Sequence, residues 1–250
     1  MIQIRALQKL VIAQVRLSLR DPMGVFFILL FAPLLLIFMG FIFGNEPDPM
    51  SGGRGALDVF LPSYAAIVIA VVGLMSVSVE TTGRREAGVL RRFRATPLRP
   101  LTYILGDVLT HFAMTILGIF LLFLLGVTVY KVRFDGSPLP LIMGICLSTA
   151  AFISLGFVLA SLAPNPRTAT IIGNVLLFPM MALSGTTFPL ELMPEAVRNT
   201  SRFVPMTHVV TLLRGLWFGE TFGEHLMEVA VLGGIIIMGT IIATWTFRWE

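Results

Sequence analysis

Apolar residues in this chain come in long blocks rather than in the short alternations of a soluble fold. Six blocks stand out: Met23–Phe43, Val59–Val79, Val108–Val129, Leu139–Leu162, Thr168–Thr187 and Val229–Phe247. None contains an acid, a lysine or an arginine. Hydrocarbon about 30 Å thick needs about 20 helical residues to cross it. Backbone groups in lipid must bond within their own segment, so each block is predicted to be a helix. The pattern predicts an all-α integral membrane protein, six transmembrane helices in one domain over residues 1–250.

The polar stretches between the blocks carry their own patterns. Residues 1–22 read as an amphipathic interfacial helix. Arg5, Lys9, Arg16 and Arg20 fall on one face with Ile12, and Ile4, Leu7, Val11 and Val15 line the other. Such a helix lies in the headgroup plane with its cations toward water and anionic lipid. The plainer alternative is a basic flank that only fixes orientation. Asp21-Pro22 then turns the chain into the membrane.

The loop from Glu80 to Pro100 holds six arginines: Arg84, Arg85, Arg91, Arg92, Arg94 and Arg99. Val89, Leu90 and Phe93 fall at helical spacing, which predicts a short helix with one greasy side and a basic remainder. Pro97 and Pro100 are expected to stop it before the next span. A helix of this kind suits docking onto a cytoplasmic partner. The alternative is a loop whose arginines merely hold it on the cytoplasmic side.

Residues 188–228 are too apolar for an ordinary loop. Leu192–Phe203 and Thr207–Phe218 are two short helical patterns set off by Pro189, Pro194 and Pro205. At about 12 residues each they cannot span. They are read as a re-entrant hairpin over 188–218, between spans 5 and 6, dipping into the outer leaflet with Trp217 and Phe218 at the interface. Packed surface helices are the alternative.

Charge orients the spans. With the N-terminus inside, the inner segments hold 12 basic residues in 58 positions and the outer segments 6 in 65, while the acids divide five inside and nine outside. Both termini, and the arginine-rich loop, are therefore expected in the cytoplasm, and the protein in the cytoplasmic (inner) membrane. Composition agrees: 56% of residues are hydrophobic and 13% charged, with a mean hydropathy of +0.90, where soluble domains have about a quarter charged. The net charge of +4 is explained by position along the chain and argues for no nucleic acid. The start of the chain does not resemble a cleaved signal peptide.

Within the spans, Pro33, Asn174 and Pro179 interrupt regular helices. Asn174 is read either as interhelical glue or as a substrate contact. Gly156 and Ala160 in span 4, and Gly233, Gly234 and Gly239 in span 6, suit close helix contact. No internal repeat relates the two halves.

Several chemistries are excluded. The only lysines, Lys9 and Lys131, precede Leu10 and Val132, so no Gly-rich loop ends in Lys-Ser or Lys-Thr to cradle a nucleotide phosphate. The chain is not expected to be an enzyme by that route. Cys146 is the single cysteine, and His111, His208 and His225 have no partner at ligand spacing, so no metal site is expected. Asp107 and His111, one turn apart, are a titratable pair at a span end, read as a structural hydrogen bond or a proton site. The spans lack the buried acids of proton-driven transporters and the charge rings of channels.

Three segments resemble the permease subunit of type-2 ATP-binding-cassette exporters, the group that includes daunorubicin-resistance-like drug efflux permeases. Leu19–Leu36 is similar to that family's approach to span 1, Glu80–Leu109 to its inner loop and coupling helix, and Leu183–Gly219 to its outer hairpin and closing segment. Thr187-Phe188-Pro189 departs from the more apolar stretch many members carry there. The resemblance implies a homodimer, or a pair with a homologous permease, docked on two copies of a separate P-loop ATPase subunit that holds ATP and magnesium. It implies no cofactor in this chain. It implies that Glu80, Arg84, Arg85, Glu86, Gly88 and Arg91 couple to the ATPase, and that Phe26, Phe27, Asn174 and Phe178 border the path of a lipophilic small molecule or drug, with antibiotic resistance by efflux as the outcome.

Two other readings stand beside this one: a permease for a lipid-linked polysaccharide or lipid, and an intramembrane enzyme. The enzyme would need a nucleophile and base, or paired aspartates, at membrane depth. Ser148, Thr149 and Ser154 stand alone in span 4. The isolated chain is expected to bind no ATP. Equilibrium dialysis with magnesium and labelled ATP checks this, and saturable binding would contradict it.

Overall fold

The six apolar blocks are helices in a computed structural model, which describes residues 4–46, 53–89, 100–187, 190 and 193–246. Among these residues, six helices are long and apolar enough to cross a membrane. They are span 1 (Phe26–Phe43), span 2 (Ala56–Glu86), span 3 (helix Pro100–Val129), span 4 (Pro138–Leu162), span 5 (Pro166–Leu183) and span 6 (Phe222–Thr246). Besides a single turn at Pro22–Val25 that leads into span 1, three shorter helices accompany them: α1 (Ile4–Ser18), α2 (Glu195–Ser201) and α3 (Pro205–Trp217). Alternate crossing puts α1 and the ends of spans 2, 4 and 6 on one side, here the amino-terminal face. It puts α2, α3 and the 130–137 loop on the far face.

Span 6 starts seven residues before Val229, at Phe222, span 5 ends at Leu183 and not Thr187, and two boundaries at the amino-terminal face differ by seven residues or more from the sequence reading. Span 2 runs seven residues beyond Val79, to Glu86, so Glu80–Glu86 continue a membrane helix and do not start a separate one. Span 3 starts at Pro100, not Val108, and the proline opens the helix instead of stopping it. Proline suits a first helical turn because its missing N–H has no helical partner there. The polar residues Tyr103 and Asp107 enter this helix because Arg84 pairs them. At 31 residues, span 2 is about 46 Å long and outreaches the hydrocarbon.

Prolines inside the spans are accommodated locally. Before Pro33 the helix widens into a π-helical segment, Phe26–Leu30, in which Phe31 N–H reaches back to the Phe26 carbonyl. A second π-helical segment, Val71–Ser76, lies in span 2. Pro62 in span 2 and Pro179 in span 5 sit within continuous helices.

Span 2 is the central helix, with 78% of its most apolar stretch buried against 11% in span 6. It meets span 4 through two glycines. Gly73 lies against Phe152, and Gly156 against the Gly73 carbonyl and Val77. Neither site has room for a methyl group. Gly239 of span 6 likewise fits against Ser154, and Ala160 is fully buried, whereas Gly233 and Gly234 face open space. Four of the five small residues singled out by sequence therefore split two and two: Gly156 and Gly239 are contacts, Gly233 and Gly234 are not.

The far face is closed by a polar cap. Asp58, 3% exposed, accepts from Gly55 N at 2.9 Å, Arg133 N at 3.0 Å and Asn45 Nδ2 at 3.2 Å. Asn45 Nδ2 also donates to the Tyr130 carbonyl at 3.1 Å. Trp217, expected at the membrane interface, is instead buried between Phe123 and Phe134, and its Nε1 donates to the Arg133 carbonyl at 2.9 Å. An indole N–H removed from water needs such an acceptor. Both α2 and α3 are helical, and ten of the thirteen residues of α3 are buried.

Gly156→Ala is expected to lower stability by about 1–3 kcal/mol, because its new methyl meets backbone and the spans must part. Gly233→Ala should be neutral. Thermal unfolding of the purified chain in nanodiscs compares the two.

Candidate functional site

Polar groups gather where span 2 leaves the membrane at the amino-terminal face. Successive turns of the helix put Glu80 and Arg84 on one side. Arg84 Nη2 meets Glu80 Oε2 at 2.7 Å, its Nη1 pairs with Asp107 of span 3, and Nη1 donates to the Tyr103 hydroxyl at 3.3 Å. The Asp107 side chain is 2% exposed and that of Arg84 19%. A carboxylate so buried stays charged only with a cation beside it. His111, also buried, contacts the Asp107 carbonyl through Nδ1 at 2.8 Å and stands 3.9 Å from Glu80 Oε2 through Nε2. Of the two readings of the Asp107–His111 pair, a structural hydrogen bond is present, but to the Asp107 backbone carbonyl, with the two side chains 3.9 Å apart.

α1 is tied into the same network. Its residues Leu7 and Leu10 cover Gly106 of span 3. Gln14 is the one buried residue of the helix. Its amide contacts Thr110 Oγ1 at 2.8 Å. With the nitrogen turned to the Gly106 carbonyl at 3.2 Å, its oxygen accepts from Arg84 Nη1 at 3.2 Å. Ser18 Oγ, one turn on, is 3.5 Å from Glu80 Oε1. Ile4, assigned by sequence to the apolar face, is instead 67% exposed, and Leu10 takes the place against span 3. The helix rolls to bring Gln14 to its partners. A glutamine within the stripe of Leu7, Val11 and Val15 was the sequence signal for this contact.

Arg85 points the other way. It donates to the carbonyls of Ala160, at 3.2 Å, and Ala163, at the end of span 4. Those carbonyls have no helical partner, and a guanidinium there answers both the missing bonds and the helix dipole. Two adjacent arginines therefore fasten span 2 to three neighbours, Arg84 to span 3 and α1, Arg85 to span 4.

The helix ends just beyond. Glu86 and Ala87 are exposed, and Gly88 takes a positive φ of 66° that stops the helix, with its N–H on the Arg85 carbonyl at 3.0 Å. Arg91, and the short helix expected around Val89, Leu90 and Phe93, fall at the edge of or outside the described residues. Of the path candidates, Phe26 and Phe27 are 39% and 41% exposed on span 1 and Phe178 is 62% exposed on span 5. Asn174 is partly exposed on span 5. Among the described residues, no bond or ring contact joins the span 1 pair to the span 5 pair. No group of three His, Cys, Asp or Glu among them could hold a metal ion.

Arg84→Gln strands the Asp107 carboxylate and is expected to cost about 3–5 kcal/mol. Arg84→Gln with Asp107→Asn should recover much of that loss, because no charge is left unpaired. Unfolding midpoints of the two variants check it, and equal losses would contradict it.

Similarity to known proteins agrees with this architecture. Over 104 residues the chain is 29% identical to Nodulation protein J of Rhizobium leguminosarum bv. viciae, covering 42% of this chain and 40% of that protein. It is 22% identical over 158 residues to the probable multidrug ABC transporter permease YbhS of Escherichia coli K12, covering 63% of this chain and 42% of the relative. With the probable multidrug permease YbhR of the same strain it shares 21% over 160 residues, 64% and 44% of the two chains. The matches thus span less than half the length of these relatives. The ABC-2 type transporter family matches residues 5–218, from α1 through α3, and this chain belongs to that family.

Proposed function

We propose that this chain is the membrane permease subunit of an ATP-driven exporter that moves a lipophilic small molecule or drug across the cytoplasmic membrane. Membership in the ABC-2 type transporter family supports transport, and the multidrug permeases among its relatives favour a lipophilic cargo. ATP and magnesium belong to a separate P-loop ATPase, present in two copies. A second permease copy, or a homologue, faces the exposed sides of spans 1 and 5. The amino-terminal face is cytoplasmic in this reading, and α2 with α3 is the hairpin that dips into the outer leaflet.

One observation carries the mechanism: span 2, whose 31 residues exceed the about 20 needed to cross the hydrocarbon, has its end clamped by Arg84 and Arg85 to α1, span 3 and span 4. A force on the tip near Glu86 and Gly88 cannot be absorbed by bending a free loop. It is passed to four helices together. Glu86, Gly88 and Arg91 form the contact to the ATPase, and Glu80, Arg84 and Arg85 transmit its movement. Closing of the ATPase pair biases the permease pair toward an outward-open state, a two-state change driven by a remote ligand. Phe26, Phe27, Asn174 and Phe178 then border the path between copies, where apolar rings suit a lipophilic cargo. No covalent step falls to this chain.

Glu86→Arg is expected to reduce drug-stimulated ATP hydrolysis and export by the assembled complex about tenfold, the scale of one lost charged contact. The unfolding midpoint should stay unchanged, since the Glu86 side chain is exposed and makes no bond among the described residues. Parent-like export by the variant would count against the docking role.

A further inference from the structure

Four arginines among the described residues are partly buried: Arg54, Arg84, Arg85 and Arg214. Three have partners within the chain. Arg54 pairs with Asp135 and lies 3.8 Å over the Phe218 ring, Arg84 holds Glu80 and Asp107, and Arg85 caps span 4. Arg214, on α3 at the far face, has neither an ion pair nor a hydrogen bond among the described residues. Among the described residues no acid of this face pairs with Arg214, the exposed Glu46 and Glu195 included. Asp58 serves the polar cap, Asp135 holds Arg54, and Glu220 and Glu228 flank His225 at 2.8 and 3.7 Å. A guanidinium cannot shed its proton to escape burial, so Arg214 lacks the compensation its three counterparts have.

Its surroundings indicate the missing partner. Leu212, Leu213 and Leu216 turn toward Gly144 of span 4. Thr207, Thr211 and Arg214 fall at i, i+4 and i+7, so they share the opposite face of α3 over about 10 Å. Thr207 is 6% exposed and its hydroxyl has no hydrogen-bond partner. Unpaired hydroxyl and guanidinium donors on one helix face match a group rich in acceptor oxygens.

We propose that Arg214, with Thr207 and Thr211, forms a binding subsite for the oxyanion of an amphiphile: a phosphate, sulfate or carboxylate borne on an apolar body. The guanidinium takes two oxygens through its planar fork, and the hydroxyls donate to the lone pairs left over and orient the anion. The subsite rests on this shared face and on the unpartnered Arg214 and Thr207 groups. Only its use by the cargo rests on the permease reading, and cargo of that kind is anionic.

The test titrates the full chain in phosphatidylcholine nanodiscs with dodecyl phosphate and, separately, with dodecyltrimethylammonium, following the thermal unfolding midpoint. Dodecyl phosphate is expected to raise the midpoint and the cation to leave it in place. Arg214→Gln should raise the half-maximal dodecyl phosphate concentration about tenfold. Arg214→Lys, which keeps charge without the fork, and Thr211→Val should raise it less. Arg16→Gln, on the exposed side of α1, should not change it. Parent-like titration by Arg214→Gln, or equal weakening by Arg16→Gln, overturns the proposal. If Arg214→Gln does not fold, parent-like titration by both Arg214→Lys and Thr211→Val overturns it. Repeating the titration in phosphatidylglycerol nanodiscs identifies the source. Competition by that lipid assigns the subsite to a headgroup phosphate, and an unchanged titration assigns it to an incoming amphiphile. Either result upholds the subsite. No ATPase enters the readout, so a failed export assay leaves it untouched, and its own failure leaves the permease reading standing.

Discussion

The Arg84–Asp107 pair is the interaction on which the amino-terminal half depends. Asp107 is the one acid of the span 3 helix, and a bare carboxylate there is costly enough to expel the first turns of span 3 from the bundle. Arg84 removes that cost and ties span 2 to span 3 in doing so. The same guanidinium reaches Gln14, so a helix with the composition of a loose membrane-surface segment becomes part of the bundle. One cation thus sets the position of three helices.

The two faces of the protein solve the helix-end problem differently. At the amino-terminal face a guanidinium supplies the missing bonds, that of Arg85 on the Ala160 and Ala163 carbonyls. At the far face, neutral and anionic acceptors do so, with Asp58 and Asn45 receiving backbone N–H groups and the Arg133 carbonyl receiving the Trp217 indole. Between them the spans are joined by packing, with glycines at the closest approach. The bundle is therefore braced at both ends while its lateral faces, above all on spans 1, 5 and 6, keep apolar surface for lipid or another chain.

Such bracing bears on transport. A permease driven from outside must carry a displacement across the bilayer without dissipating it. A continuous central helix gripped at its protruding end meets that need, and the π-helical segment at Val71–Ser76 marks where its regular bonding is already relaxed. Arg214, which alone among the partly buried arginines of the described residues has no partner among them, is the complementary feature at the far end.

Span number, helical class and the polarity of each connecting segment were determined by the sequence alone. Hydrocarbon imposes a length and an apolar composition on anything that crosses it, and both are local properties. The arginine cluster and the Asp107–His111 pair were equally legible. Only the tertiary structure decided what those charges do. Nothing local in Glu80–Glu86 distinguishes an arginine facing a partner protein from one facing Asp107 23 residues on or the end of span 4. Charged residues were read as solvent-facing, and the helix boundaries were drawn short for that reason. A buried charge is tolerable only when another segment brings its counter-charge, and that pairing is a property of two segments in space.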